Sequence, residues 1–320
     1  MTRSALSPHQ SPLARTVRTG GFFLPGDIQD SDQGPWQWGP AWVQWEAPAE
    51  GTALPPLVCV HGGGGQSTDW FGVSADAPGW APRAVEVGYP VYLLDRPGHG
   101  RSPYDPTRLG ERTPFPDYAG AAALFAPDPG DPTPFNPAWE WERLPGSPEL
   151  DALVASSGGI LLNTALSQEL DARRLVDLLE RTGPAFLITH SAGSSAGWLA
   201  ASRAPALVRG IVAVEPIGPP CRDLGPRGSL EYGVTAVPLD GVGRRPLEAL
   251  PVLIVSGEAS GRAENDAATT AFLADRGASA THVRLGDLGV TGNGHGLILE
   301  ANAGHALAPV LRWLATQQAQ

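Results

Sequence analysis

The fold of this chain is decided by one stretch near its middle, Ala185-Phe186-Leu187-Ile188-Thr189-His190-Ser191-Ala192-Gly193. Its first four residues are apolar and predict a buried strand, and residues 192–203 predict a helix. Small residues around Ser191 allow the backbone to bend sharply between the two, which lifts the hydroxyl above the strand. We therefore predict a nucleophile elbow, although Thr189 stands where Gly-x-Ser-x-Gly has its first glycine. A serine N-cap without chemistry is the alternative.

Short apolar runs bounded by turn residues lie on both sides of this stretch and predict parallel strands covered on both faces. They are residues 57–60, 91–94, 210–214 and 251–255, with a weaker run at 282–285 and earlier strand candidates at 21–28 and 41–46. Leucines at helical spacing from Leu166 to Leu178 and a segment at 306–316 predict helices. The alternation predicts an α/β fold with a doubly wound, mostly parallel sheet, whose ligands bind at the carboxyl ends of the strands.

The chain of 320 residues is long enough for one large domain, which we expect at 20–320 after an N-terminal arm at 1–19. Two stretches are longer than a simple crossover connection between parallel strands needs to be. We name residues 102–163 the first insertion and residues 217–250 the second insertion. Long insertions in a compact domain are usually lids, binding loops or disorder. The aromatic residues of the first insertion favour lids that shape an apolar pocket.

Composition excludes several classes of function. The chain has 22 basic and 33 acidic side chains and a formal net charge of −11, so we expect no nucleic-acid partner. All of the basic residues are arginine, which excludes Schiff-base catalysis and a phosphate-loop lysine. The two cysteines are too few for a disulfide framework. No apolar run is long enough for a membrane span and no secretory signal precedes the domain, so we expect a cytoplasmic protein with no membrane partner.

A glycine-rich loop, His61-Gly62-Gly63-Gly64-Gly65, follows the strand at 57–60. Glycines let the backbone approach a ligand closely. We expect the amide of Gly63 to form an oxyanion hole together with the amide of Ala192, which lies at a helix N-terminus where the dipole favours negative charge. His61 is expected to hold the loop.

A serine nucleophile needs an imidazole base, and the imidazole needs a carboxylate that orients it. His295 lies in a glycine-bounded loop after the last strand, whereas His305 lies at the start of the final helix and is expected to be a solvated or capping residue. Carboxylates follow two of the predicted strands, at Glu215 and at Glu258. Both would lie at the same edge of the sheet, so both remain candidates for the acid.

The chain resembles the α/β-hydrolase superfamily over residues 21 to 316, in the order serine, acid, histidine. Its segment Asp95-Arg96-Pro97-Gly98-His99-Gly100-Arg101-Ser102 is similar to the usual loop after the fourth strand of that fold. Val214-Glu215-Pro216 and Gly292-Asn293-Gly294-His295 resemble a branch of bacterial serine esterases that has its acid after strand six. The resemblance favours Glu215 as the acid, with Glu258 as the alternative, and implies a homodimer.

These residues predict a serine hydrolase that cleaves carboxylic esters through an acyl-enzyme, with Ser191, His295 and Glu215 as the triad. The expected substrate is a small, uncharged, partly apolar ester, and no cofactor or metal is expected. A lactonase, an amidase or a carbon-carbon bond hydrolase could use the same triad. A ligand-binding protein without catalytic activity on the same fold is the alternative from another class.

Overall fold

The computed structural model of this chain describes residues 14–74, 76–128, 135–239 and 247–318. The strands are β1 (Val17–Leu24), β2 (Asp27–Gln29), β3 (Trp36–Trp38), β4 (Ala41–Pro48), β5 (Leu57–Val60), β6 (Val91–Asp95), β7 (Ala185–His190), β8 (Val208–Val214), β9 (Pro251–Ser256) and β10 (Ser279–Arg284). The α-helices are α1 (Trp80–Glu86), α2 (Pro106–Leu109), α3 (Tyr118–Phe125), α4 (Pro148–Ser156), α5 (Thr164–Thr182), α6 (Ser194–Arg203), α7 (Ala263–Asp275) and α8 (Ala303–Gln318).

Eight strands form one sheet in the order β1-β4-β6-β5-β7-β8-β9-β10, and β2 and β3 form a separate small sheet. In the large sheet as described, β4 pairs antiparallel with both of its neighbours, β1 and β6. Every other neighbouring pair is parallel. The predicted α/β class with a mostly parallel, doubly wound sheet is therefore confirmed. No helix among the described residues is long and apolar enough to cross a lipid bilayer.

The central strands are apolar throughout because both faces of the sheet are covered. Leu57 and Cys59 of β5 belong to one buried cluster, to which α1 and α8 contribute. Val58 and Val60, on the opposite face, belong to a second cluster with α5 and α6. Burial on both sides removes the alternation of polar and apolar residues that an exposed face would impose. Because β5, β7, β8 and β9 run parallel to one another, their carboxyl ends lie at one edge of the sheet, where the candidate site lies.

The N-terminal strands differ from the prediction in their bounds. The predicted strand at 21–28 is divided between β1 and β2, because Pro25 and Gly26 interrupt the pairing. β1 also begins at Val17, within the predicted arm, since β1 pairs with β4 along its whole length, from Val17 opposite Pro48 onward. Of the rest of the predicted arm, residues 14–16 have no regular structure and residues 1–13 lie outside the described residues.

The described parts of the two insertions contain only short elements of regular structure. The first contains the short helices α2, α3 and α4, and the second contains a single turn of 3-10 helix at Gly225–Arg227 among its described residues. Residues 129–134 of the first insertion and 240–246 of the second lie outside the described residues.

Candidate active site

Ser191 follows β7 directly and has a left-handed backbone, with φ of 49°. Non-glycine residues rarely adopt this conformation, which occurs at the sharp strand-to-helix turn of a nucleophile elbow. The turn needs a small residue at Gly193, because a Cβ there would lie 2.9 Å from the carbonyl oxygen of Val60 and still closer to that of His61. The structure therefore has the bend that the sequence predicts, with Ser191 partly exposed at its apex.

Thr189 occupies the position at which the elbow pattern usually has glycine, and α6 accommodates it. Its side chain is fully buried, and its Cγ2 would lie 3.0 Å from a Cβ at Gly197. The helix α6 therefore makes room for the side chain of Thr189, because it has glycine at the facing position, Gly197. The missing glycine of the pattern does not prevent the turn.

Glu215 and His295 meet at the end of β8. Oε2 of Glu215 lies 2.6 Å from Nδ1 of His295, and Oε1 accepts a hydrogen bond from the backbone N–H of Gly257 at 2.7 Å. The carboxyl group is inaccessible to solvent and the imidazole is almost so. Glu215 also has a left-handed backbone, with φ of 45°. Two of the strained backbone positions of the chain therefore lie at this edge of the sheet, where strain is often associated with function.

Burial dominates the electrostatics of this pair. It raises the pKa of Glu215 to about 7, although hydrogen bonds from Ser260 and Gly257 and the charge of Arg262 act to lower it. Burial and Arg262 together lower the pKa of His295 to about 3. A proton taken up near neutral pH is shared between the two groups, which are in direct contact. Above that pH the pair is a carboxylate and a neutral imidazole, the state in which Nε2 can accept a proton.

His190 connects the elbow to the loop of His295. Its Nε2 donates a hydrogen bond to the backbone oxygen of His295 at 2.7 Å, and the two ring centroids are 4.6 Å apart. The structure records no hydrogen bond from the Ser191 hydroxyl to another described residue. The histidine loop is thus bound to the residue that precedes Ser191, while the hydroxyl itself is unengaged.

The glycine-rich loop lies against the elbow. A Cβ at Gly62 would be 2.8 Å from Nδ1 of His190 and 3.1 Å from Cβ of Ser191. His61 is fully buried; its Nε2 accepts the backbone N–H of Arg96 at 3.1 Å, so Nδ1 donates to the carbonyl oxygen of Gly62 at 2.8 Å. His61 therefore holds the loop, as its position in the sequence suggested.

The close approach at Gly62 leads to a test of the loop. We expect Gly62→Ala to lower kcat on an ester substrate by about 100-fold, because the added methyl group must displace the loop or the elbow, and small displacements in a catalytic site have effects of this order. Gly158→Ala is the matched control, since its Cβ would meet only the carbonyl oxygen of Gly64, at 3.6 Å. Equal kcat values for the two variants would contradict a close fit between loop and elbow.

The remaining candidates from the sequence lie apart from the histidine. Glu258 is exposed, and its Oε2 accepts the backbone N–H of Gly292 at 2.9 Å, so it binds the start of the histidine loop rather than the imidazole. His305 lies exposed in the first turn of α8. Of the two candidate acids, the structure brings Glu215 and not Glu258 to His295.

Three residues at the site were not identified from sequence as part of it. Glu300 is fully buried and accepts hydrogen bonds from Nδ2 of Asn293 at 2.7 Å and from the N–H of Gly294 at 2.9 Å, so it holds the histidine loop. Arg262 lies 3.8 Å from Oε2 of Glu215. His190 could have been suspected from its place beside the serine, but Glu300 and Arg262 carry no local signal.

The first insertion packs directly on the histidine loop. The carbonyl oxygen of Leu124 accepts the N–H of His295 at 3.0 Å, and the ring of Phe125 lies 5.9 Å from the imidazole, centroid to centroid. Nδ2 of Asn136 donates to the carbonyl oxygen of Gly292 at 3.0 Å. The first insertion therefore contacts the imidazole and holds the backbone of the histidine loop at Gly292 and at His295.

Comparisons with known proteins agree with this architecture. Residues 55–226, more than half of the chain, match the family model described as alpha/beta hydrolase fold. A protein of Fungal sp. (strain ATCC 74256), named probable secreted lipase phiG, is 30% identical over 352 residues, covering 97% of this chain and 93% of that protein.

Two solved structures share the fold. The structure of a novel bacterial esterase superposes with a TM-score of 0.72 at 20% identity, covering 96% of this chain and 99% of that chain. One of two fungal esterases from Rhizomucor miehei superposes with a TM-score of 0.53 at 14% identity, covering 98% of this chain and 86% of that chain. Identities this low establish the fold alone.

One expectation from the sequence is wrong. The absence of a recognisable secretory signal suggested a cytoplasmic protein, but the fungal relative is named a secreted lipase and aligns with nearly all of this chain. The N-terminal sequence was therefore a poor indicator of location.

Proposed function

The chain belongs to the alpha/beta hydrolase fold family, and we propose that it is a serine hydrolase of carboxylic esters with Ser191, His295 and Glu215 as its triad. The observation that carries the proposal is the contact of 2.6 Å between Nδ1 of His295 and Oε2 of Glu215, beside a serine in the strained conformation of an elbow. The names of the relatives, lipase and esterase, support the same class of reaction. Glu215 follows β8, the sixth strand of the large sheet along the chain, which supports membership of the esterase branch with its acid at that position.

Acylation begins when Oγ of Ser191 attacks the ester carbonyl carbon and Nε2 of His295 takes the hydroxyl proton. Glu215 holds the proton on Nδ1, which keeps Nε2 basic, and stabilises the imidazolium that forms. The carbonyl oxygen becomes an oxyanion that accepts hydrogen bonds from the amides of Gly63 and Ala192. The bond to the alcohol oxygen then breaks, and His295 returns its proton to the leaving alcohol.

Deacylation repeats these steps with water as the nucleophile. His295 removes a proton from water, which attacks the acyl carbon, and the second tetrahedral intermediate collapses with the proton returned to Oγ of Ser191. A carboxylic acid leaves. The hydrogen bond between Ser191 and His295 forms in the substrate complex, since such contacts commonly tighten only when substrate is bound.

The surroundings of the site support an uncharged, partly apolar ester. The side chain of Ile160 lies against Gly63, with Cδ1 2.7 Å from a Cβ built there. Ala192 packs against the apolar cluster of Ile217, Leu224 and Leu230. Both proposed oxyanion donors are therefore next to apolar side chains, which lower the local dielectric constant and strengthen the hydrogen bonds to the oxyanion.

The direct test is labelling with a fluorophosphonate, which reacts with an activated serine, followed by identification of the modified residue by mass spectrometry. We expect Ser191 to be labelled and p-nitrophenyl esters with short to medium acyl chains to be hydrolysed faster than esters with a carboxylate on the acyl group. Binding of esters without labelling or turnover would instead indicate a ligand-binding protein. A requirement for a charged acyl group would contradict the apolar pocket.

The raised pKa of Glu215 leads to a pH prediction. The active state has Glu215 ionised and His295 neutral, and protonation of the pair, at a pKa of about 7, removes it. We expect kcat/KM to level off above about pH 8 and to fall about tenfold per pH unit below about pH 6. Rates between pH 5 and 9 measure this directly, with Glu258→Gln as a control that keeps the profile. A rate independent of pH over the acidic half of this range would contradict the shift.

A further inference from the structure

A buried arginine lies beneath the glycine-rich loop. Arg96 is 2% exposed, and its Nη1 pairs with Oδ2 of Asp171 on α5 at 2.9 Å. Its Nη2 donates hydrogen bonds to the carbonyl oxygens of Gly62 at 2.7 Å and of Gly63 at 2.6 Å. One guanidinium therefore holds two successive peptide groups of the loop, and the carboxylate fixes the guanidinium.

The orientation of these peptide groups determines where their N–H groups point. The peptide bonds that join Gly62, Gly63 and Gly64 are trans, and in a planar trans peptide the C=O and N–H bonds point in opposite directions. With the carbonyl oxygens of Gly62 and Gly63 turned toward Arg96, the N–H groups of Gly63 and Gly64 must point away from it. A Cβ at Gly62 would lie 3.1 Å from Cβ of Ser191, so the elbow borders this loop, and the N–H of Gly63 points to the side of the loop away from the guanidinium.

Two donors bind the peptide group of Gly62. Its carbonyl oxygen accepts from Arg96 and also from Nδ1 of His61, at 2.8 Å, so two donors occupy its two lone pairs. Rotation of this peptide group would leave Nδ1 of His61 without a partner and remove one of the two hydrogen bonds of Arg96 Nη2, which is unfavourable. Glycine by itself imposes little preference on its backbone, so the orientation of this loop depends on such external contacts.

We infer that Arg96 is a positioning residue that orients the Gly63 amide as an oxyanion donor, with Asp171 holding Arg96 in place. The inference rests on the proposed esterase function and deepens it. Arg96 contacts no reacting atom. It acts through the peptide group of Gly62 and Gly63, and its positive charge at the carbonyl end also polarises that group and strengthens the N–H as a donor.

The test removes both charges together, because a buried carboxylate left alone would destabilise the fold. In Arg96→Met/Asp171→Leu, we expect kcat to fall about 100-fold, as for loss of one oxyanion donor, with KM changed less than about threefold. The affinity for a boronic acid, which forms a tetrahedral adduct with an anionic oxygen, should fall by the same factor. A purely structural role would not produce matched losses in kcat and boronate affinity.

Arg174→Met/Asp27→Asn is the matched control. Arg174 is another buried arginine, on α5, and its Nη2 pairs with Oδ1 of Asp27, the first residue of β2, at 2.7 Å and away from the glycine-rich loop. We expect kcat and boronate affinity within about twofold of the unaltered protein, because the partners of these two side chains lie away from the glycine-rich loop and the triad. The control shows what the loss of a buried arginine and its carboxylate partner does away from the glycine-rich loop.

Circular dichroism would show whether the double variant folds. If it does not, Arg96→Lys is a second variant that tests the same role. Lysine keeps the charge but lacks the planar fork that binds two carbonyls and a carboxylate at once, so we expect a loss of about tenfold in both measurements. Full activity of Arg96→Lys, or of a folded double variant, would overturn the role of Arg96 while ester turnover by the unaltered protein still supported the proposed function. If the unaltered protein neither hydrolyses esters nor binds the boronic acid, the proposed function fails, and this inference fails with it.

Discussion

Glu215→Gln is expected to lower kcat by about 10⁴-fold, the effect seen when the acid of a serine triad is replaced by its amide. The structure gives a specific reason. Oε1 of Glu215 accepts the N–H of Gly257, so the amide oxygen of glutamine will occupy that position and its NH₂ group will face Nδ1 of His295. Nδ1 must then accept a hydrogen bond, which places the imidazole proton on Nε2. In this tautomer His295 cannot take the proton of Ser191.

Glu258→Gln is the matched control because Glu258 is the other acid at this edge of the sheet. It accepts the N–H of Gly292, a hydrogen bond that the glutamine oxygen can keep, so we expect kcat to change by less than about threefold. Single-turnover rates and steady-state rates on one p-nitrophenyl ester measure both variants. A large loss in Glu258→Gln with a small loss in Glu215→Gln would reassign the acid.

Ser191→Ala is expected to lower kcat by about 10⁶-fold, since loss of the nucleophile in a serine hydrolase costs about as much as loss of the whole triad. Fluorophosphonate labelling should disappear with it. The remaining rate would reflect the oxyanion donors and binding alone. KM should change little, because the hydroxyl contributes mainly to the transition state.

Ser195→Ala separates this effect from a general disturbance of the turn. Ser195 lies four residues further along, fully buried in α6, and its hydroxyl donates to the carbonyl oxygen of Val234 at 3.1 Å. We expect this variant to lose some stability and to keep its kcat within about threefold. Retention of kcat in Ser191→Ala would rule out Ser191 as the nucleophile.

The sheet could be predicted from sequence because its central strands are buried on both faces. A run such as Leu57–Val60 is wholly apolar for that reason, and its predicted bounds agree with β5. The edge of the sheet carries a weaker signal, since strand β1 is half exposed and its start at Val17 depends on pairing with β4, which lies far along the chain. Local patterns do not encode such pairing.

In the candidate site too, some features depend on neighbours in sequence and others on contacts between distant segments of the chain. The elbow could be predicted because its geometry is set by neighbours in sequence, and even the unexpected Thr189 is accommodated by Gly197 nearby. The acid could not be chosen from the residues alone, because Glu215 and Glu258 both follow strands and only their contacts in space differ. Arg96 lies in a recognised motif, but its contact with two carbonyl oxygens is visible only when the loops are folded together.

The position of the first insertion limits how this protein could be redesigned. Leu124 supports the backbone of His295, and Asn136 supports Gly292, from within that insertion. A transplanted segment would have to reproduce both supports, so for the proposed esterase we expect point changes at Phe125 or Ile160 to alter the substrate range with less disturbance of the histidine loop.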